Sequence, residues 1–115
     1  DSTLELVSKT IEASYCVLLC INEKYRQSVL NQAEAQLAFR LGKPIICLIM
    51  QSGYENLKGW LGEIMKSRKL INYSKFTFED SLKQLKSELN VLGNKKLDDK
   101  PLSANQIKLN ADPDM

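Results

Sequence analysis

The residue whose type and position could do chemistry is Glu34, which lies in the segment "SVLNQAEAQLAFRLGKP", from Ser28 to Pro44. The segment predicts one helix, and winding it at about 100° per residue predicts an apolar stripe of Leu30, Ala33, Leu37, Ala38 and Leu41. Glu34 falls inside this stripe. Burial beside leucines is expected to raise the pKa of its carboxyl group, which suits an acid or base, and an ionised carboxylate stabilises a developing positive charge. The alternative is that Glu34 sits at the edge of the stripe and pairs with Lys24 or Arg26.

Three residues at the start of this helix or just before it are candidates to bind a ligand: Lys24, Tyr25 and Ser28. They follow the apolar run "YCVLLCI", which predicts a buried strand. In open α/β sheets, ligands bind outside the carboxyl ends of the strands. Structural alternatives stay open, because Ser28 also suits the N-cap of the helix, and Lys24 and Tyr25 also suit a solvated loop.

A second candidate surface lies on the side of the helix opposite to the stripe, at Phe39 and Gln36. An exposed aromatic residue in such a position is typical of a surface that binds another protein. We therefore predict a partner interface at these two residues.

The composition excludes several classes of site and partner. The 115 residues include no histidine, which excludes Ser-His-Asp and Cys-His catalysis and most zinc sites. The three cysteines are expected to be buried, reduced thiols, so no metal site is predicted. A net charge of +2, with basic residues scattered among acidic ones, argues against nucleic acid as a partner. No apolar run approaches the roughly 18 residues that span a membrane, and a cytoplasmic location is expected.

The elements that must position these residues alternate between helices and strands. Helices are predicted at 3–13, 28–41, 60–66 and 77–90, and strands at 15–21, 44–50 and 70–73. This order predicts an α/β domain over residues 1–92, with a parallel sheet between flanking helices. The polar residues 93–115 predict a disordered tail. Because three strands make a thin sheet, the domain is expected to lack the amino-terminal part of its fold.

Four segments resemble the Toll/interleukin-receptor (TIR) family: "STLELVSKTIEASYCVLLCINEKYRQS", "AEAQLAFRLGKPIICLIM", "GYENLKGWLGEI" and "LINYS". The resemblance covers about residues 1–90. It implies a flavodoxin-like parallel sheet with strand order 2-1-3-4-5, in which the strands predicted here are the third, fourth and fifth. It also implies a signalling module that associates with other TIR domains as a homo- or hetero-oligomer.

The same resemblance implies an activity for Glu34. Some TIR domains hydrolyse the bond between nicotinamide and ribose in NAD⁺ with one glutamate on the helix after the third strand, and Glu34 occupies that place. NAD⁺ is then a substrate, with no permanently bound cofactor. Asn31 and Leu30 depart from the family, since relatives often have cysteine at the first position and some catalytic members have an aromatic residue at the second.

Other functions remain as alternatives to this enzyme. A non-catalytic scaffold or adaptor TIR domain is the main one, and the isolated chain is expected to be a weak or inactive enzyme. A nucleoside-processing enzyme of related fold is a more distant one. A phosphotransfer receiver domain is excluded, because its phosphoacceptor aspartate is missing where the first strand ends in "CIN".

Overall fold

The computed structural model describes residues 2–66, 68–94 and 106–111, which form five helices and four strands. In chain order they are α1 (Ser2–Ala13), β1 (Cys16–Ile21), α2 (Glu23–Gln27), α3 (Val29–Arg40), β2 (Ile45–Ile49), α4 (Gly59–Met65), β3 (Lys69–Asn72), α5 (Phe78–Asn94) and β4 (Ile107–Asn110). The four strands form one parallel sheet in the order β3-β2-β1-β4. The predicted α/β class, with a flavodoxin-like parallel sheet between helices, is confirmed.

The central position of β1 and β2 in the sheet explains why their sequences are continuously apolar. Every residue of β1 and of β2 is buried, because helices cover both faces of the sheet. Alternate residues contribute to two separate cores, so Val17, Leu19 and Ile21 pack with α1, α3 and α4, whereas Cys16 and Leu18 pack with α5. The result is a three-layer sandwich.

The path of the chain accounts for the side on which each helix lies. From β1 through β2 to β3 the chain moves in one direction across the sheet, and α3 and α4 lie on the same face. From β3 the chain returns across the sheet to β4, and α5 lies on the opposite face. Crossovers between parallel strands are nearly always right-handed, so a reversal of direction moves the connecting helix to the other face.

The prediction of three strands and a tail from residue 93 is wrong where the structure describes that segment. Residues 93–94 end α5, and Ile107–Asn110 form β4. This strand is short and lies at an edge, and its alternation of apolar and polar residues was hidden by polar neighbours. It lies beside β1, where the resemblance places the first strand of the family. The predicted disorder of 95–105 and 112–115 lies outside the described residues.

The stripe predicted for α3 is wrong at its two ends, although Glu34 and Ala38 are buried as it predicts. Leu30 and Leu41 are exposed, whereas Asn31, Glu34 and Ala35 are buried. The small side chains of Ala35 and Ala38, which are both buried in the core, allow the helix to approach the sheet closely. The inward face of α3 therefore contains these alanines in place of Leu30 and Leu41.

Candidate functional site

The segment that follows β1 is a one-turn helix rather than the predicted polar loop. Asn22 is the N-cap of α2, since its side-chain oxygen accepts a hydrogen bond of 2.8 Å from the backbone N–H of Tyr25. Tyr25 is completely buried, with its ring 6.2 Å from that of Trp60. The prediction of a solvated loop is therefore wrong for Tyr25, although Lys24 is exposed.

Ser28 joins α2 to α3 through hydrogen bonds at both helix ends. Its backbone N–H donates to the carbonyl of Tyr25 over 3.1 Å, and its hydroxyl accepts from the backbone N–H of Asn31 over 3.1 Å. Ser28 is therefore the N-cap of α3, the structural alternative that the sequence left open. Capping fixes the first turn of the helix that presents Asn31 and Glu34.

Glu34 lies on the inward face of α3 and is only 6% exposed. Burial raises the pKa of its carboxyl group, because removal from water disfavours the charged form. The positive charge of Lys108, on β4, acts in the opposite direction and lowers that pKa. Glu34 is thus a desolvated carboxylate with one cation near it, an environment typical of acid or base residues.

Asn110, the last residue of β4, connects the sheet edge to both helices. Its side-chain amide donates to the hydroxyl of Tyr25 over 2.8 Å and to the backbone carbonyl of Asn31 over 3.5 Å. Asn110 is 1% exposed and Asn31 is 4% exposed. Tyr25 on α2, Asn31 and Glu34 on α3, and Asn110 on β4 form what we call the α3–β4 cluster, a group of buried polar residues where both helices meet the strand.

Two atoms of the α3–β4 cluster are buried without a hydrogen-bond partner. They are Nδ2 of Asn31, a donor, and Oδ1 of Asn110, an acceptor. Buried polar groups are normally paired, and an unpaired one is costly. A donor, an acceptor and a carboxylate in one cluster are the groups that bind a molecule rich in hydroxyls, such as a ribose.

Sequence reasoning missed Asn110 and gave Asn31 no role in the site. Asn110 belongs to the polar segment that predicted a tail, 79 positions after Asn31, so nothing local connects them. The signal for Asn31 was present, because an asparagine three residues before a buried glutamate lies on the same helix face.

The cysteines are buried, free thiols, as the sequence predicted. Burial raises the pKa of Cys16 and of Cys20 to about 11 and that of Cys47 to about 12, so none of them is a thiolate nucleophile at neutral pH. Within the described parts of the chain, no group of three histidine, cysteine or acidic residues could hold a metal ion.

The outward side of α3 carries the predicted partner residues. Phe39 is 41% exposed, and the guanidinium of Arg68 lies 5.0 Å from the centre of its ring. Such cation–π stacking fixes the orientation of an exposed ring. Gln36 is half-buried. Arg68 also lines a surface depression of about 310 Å³ that shares no residue with the α3–β4 cluster.

Comparisons of the chain with protein-family models, with curated proteins and with solved structures found no match. The resemblance to the TIR family therefore rests on the motifs of the sequence, whereas the α/β fold rests on the sheet and helices just described. Among the described helices, none is both long and apolar enough to cross a membrane.

Proposed function

We propose that this chain is a TIR-like signalling module that associates with further copies of such domains and that cleaves NAD⁺ at Glu34. The observation that carries the enzymatic part is the burial of Glu34 within a polar cluster at the interface of α3 and β4. A carboxylate placed there without a chemical role would be costly to retain, because desolvation already opposes its charge.

The proposed reaction uses the carboxylate of Glu34 as an electrostatic and hydrogen-bonding group. The bond between the nicotinamide nitrogen and C1′ of the ribose breaks, and its electron pair leaves with neutral nicotinamide. Positive charge then develops on the ribose ring, where an ionised carboxylate stabilises it. Water adds to C1′ and loses a proton, which yields ADP-ribose.

The unpaired amide atoms of Asn31 and Asn110 support a ribose as the bound group. Their donor and acceptor match the two roles that a ribose hydroxyl can play. Hydrogen bonds between these two atoms and a ligand would remove the free-energy penalty of leaving them unpaired. Part of the binding free energy would therefore come from removing that penalty.

A non-catalytic scaffold is the second candidate function, and two observations favour it. Glu34 is almost completely covered, and the charge of Lys108 on β4 acts on its carboxyl group. At the same time α3 exposes three large apolar side chains, Val29, Leu30 and Phe39, as expected of a helix that binds another protein.

An assay of nicotinamide release separates the two functions. The purified chain, at high concentration on an oligomerising tag, is incubated with NAD⁺ and the products are resolved by chromatography. We expect turnover that Glu34→Gln abolishes and that Glu12→Gln, a change of an exposed glutamate on α1, leaves unaltered. Turnover that survives Glu34→Gln would refute the catalytic role of Glu34. Absence of turnover both from the folded chain and from a chain with the upstream segment restored would leave the scaffold.

The assembly is tested by light scattering as a function of concentration. Phe39→Ala is expected to weaken self-association, because it removes an oriented exposed ring. Phe78→Ala is the matched control, since Phe78 is also exposed and lies at the start of α5 on the other face of the sheet. Equal effects of the two changes would refute a specific interface at Phe39.

A further inference from the structure

Among the strands that the structure describes, β4 pairs with β1 alone. It pairs with β1 over four register positions, from Cys16 opposite Ile107 to Leu19 opposite Asn110, and lies at the edge of the described sheet. Leu109 is 56% exposed, so this part of the strand contributes little apolar burial. A short edge strand of this kind opens at a lower free energy than the central strands do.

The inward side of β4 covers the residues on which the proposed chemistry depends. Asn110 donates hydrogen bonds to Tyr25 and to the backbone of Asn31, and the charge of Lys108 acts on Glu34. Tyr25 is 0% exposed with β4 in place. Separation of β4 from α3 would therefore bring water, or a ligand, to the polar side of this helix.

The contact between α3 and β4 is imperfect in its hydrogen bonding. Nδ2 of Asn31 and Oδ1 of Asn110 lie on the two sides of that contact, and neither has a partner. Both atoms would gain hydrogen bonds to water or to a ligand if β4 moved away. The closed contact is thus less stable than a fully paired one, which favours opening.

We propose that β4 is a strap that closes the Glu34 site, and that a ligand enters when β4 separates from β1 and α3. The identity of the ligand, NAD⁺, rests on the proposed function. The movement of the strap does not, because it concerns only the contacts of Ile107–Asn110 with the neighbouring strand and helix.

A reversible disulfide can hold the strap closed. Ile107 lies opposite Cys16 in the parallel register, so Ile107→Cys places a second thiol beside a native one. Oxidation with diamide removes the two thiol hydrogens and forms the bond, and a reducing agent restores the thiols. Leu109→Cys is the matched control, because Leu109 lies opposite Leu18, which has no thiol.

Hydrogen exchange and NAD⁺ binding are then measured on the oxidised and reduced full chain. In the reduced form we expect the amides of β1 and of the first turns of α3 to exchange faster than those of β2. The disulfide should slow that exchange, and weaken the binding of NAD⁺ measured by calorimetry, by about tenfold or more. Reduction should reverse both effects, and Leu109→Cys should show neither.

Three results would overturn the strap. They are exchange that the disulfide leaves unchanged, NAD⁺ binding that is equal in the locked and unlocked forms, and a disulfide that links two chains instead of closing within one. If no form binds NAD⁺, the proposed function fails, and the exchange data alone decide on the strap.

Discussion

The hydrogen bond between Asn110 and Tyr25 should be measurable as a coupling free energy between two distant parts of the chain. It is a buried bond of 2.8 Å, and a bond of this kind contributes about 1 kcal/mol to the free energy of unfolding. Tyr25→Phe also leaves the amide of Asn110 with only its 3.5 Å contact to Asn31, which adds part of a desolvation penalty. We expect a total loss of about 2 kcal/mol.

Asn110→Ala should cost less than the loss of a paired amide would suggest. It removes the same bond, but it also removes the unpaired Oδ1 atom, whose burial is unfavourable. The variant that carries both Tyr25→Phe and Asn110→Ala should be more stable than the sum of the two single losses predicts, because both changes remove the same hydrogen bond. The expected coupling free energy is about 1 kcal/mol. In a chain of this length, 1 kcal/mol corresponds to a shift in Tm of roughly 4 °C.

Urea unfolding followed by circular dichroism and by tryptophan fluorescence measures these losses. Trp60 is a convenient probe because its ring packs near that of Tyr25. Tyr54→Phe is the control, since Tyr54 is a partly buried tyrosine packed against the same core. Additive single losses, or equal effects of Tyr25→Phe and Tyr54→Phe, would refute the docking of β4 through Asn110.

Two further predictions concern a glycine and the candidate carboxylate. Gly62→Ala should destabilise the protein by about 1–3 kcal/mol in urea unfolding, although helix propensity predicts a gain of about 1 kcal/mol. The reason is steric, since a Cβ there would lie 2.1 Å from the backbone oxygen of Leu57, and a gain in stability would contradict this geometry. Glu34→Gln should raise the free energy of unfolding at neutral pH. Because the pKa of Glu34 is raised in the folded protein, its contribution to stability is full below the ordinary glutamate pKa. That contribution is lost as the pH rises through the pKa of the folded state. Unfolding of both proteins across pH 4–8 measures this, and a constant difference between them would contradict the buried, charge-disfavouring site.

The parts of the fold that the sequence predicted are those in which one local signal dominates. The runs "YCVLLCI" and "PIICLIM" are too apolar for any place but the centre of a covered sheet, and β1 and β2 lie there. The start of α5 was marked by Thr77, whose hydroxyl accepts from the backbone N–H of Asp80 over 3.1 Å. No comparable signal marks α2, because five residues are too few for a helical period.

The candidate site was predicted only in part because it is assembled from distant segments. Glu34 was found from its own helix, and Ser28 from its capping chemistry. The contribution of β4 was not predictable, since Lys108 and Asn110 reach the site through the register of β4 with β1, which nothing in the sequence of the tail specifies. Edge strands of four residues depend on tertiary contacts more than on their own propensity.

The polarity of α3 is unusual for a surface helix, because it buries polar residues beside its alanines and exposes large apolar ones, and this connects the two halves of the proposed function. An amphipathic helix normally buries its large apolar residues, yet α3 exposes Leu30 and Phe39 and buries Asn31 and Glu34. The buried polar residues cost stability unless a ligand pairs with them, and the exposed apolar residues cost solubility unless a partner covers them. Local rules are broken in this way at functional sites more than elsewhere. In the proposed function, α3 presents its inward face to a nucleotide and its outward face to a second copy, so we expect an assembly that shifts α3 to change the geometry around Glu34 as well.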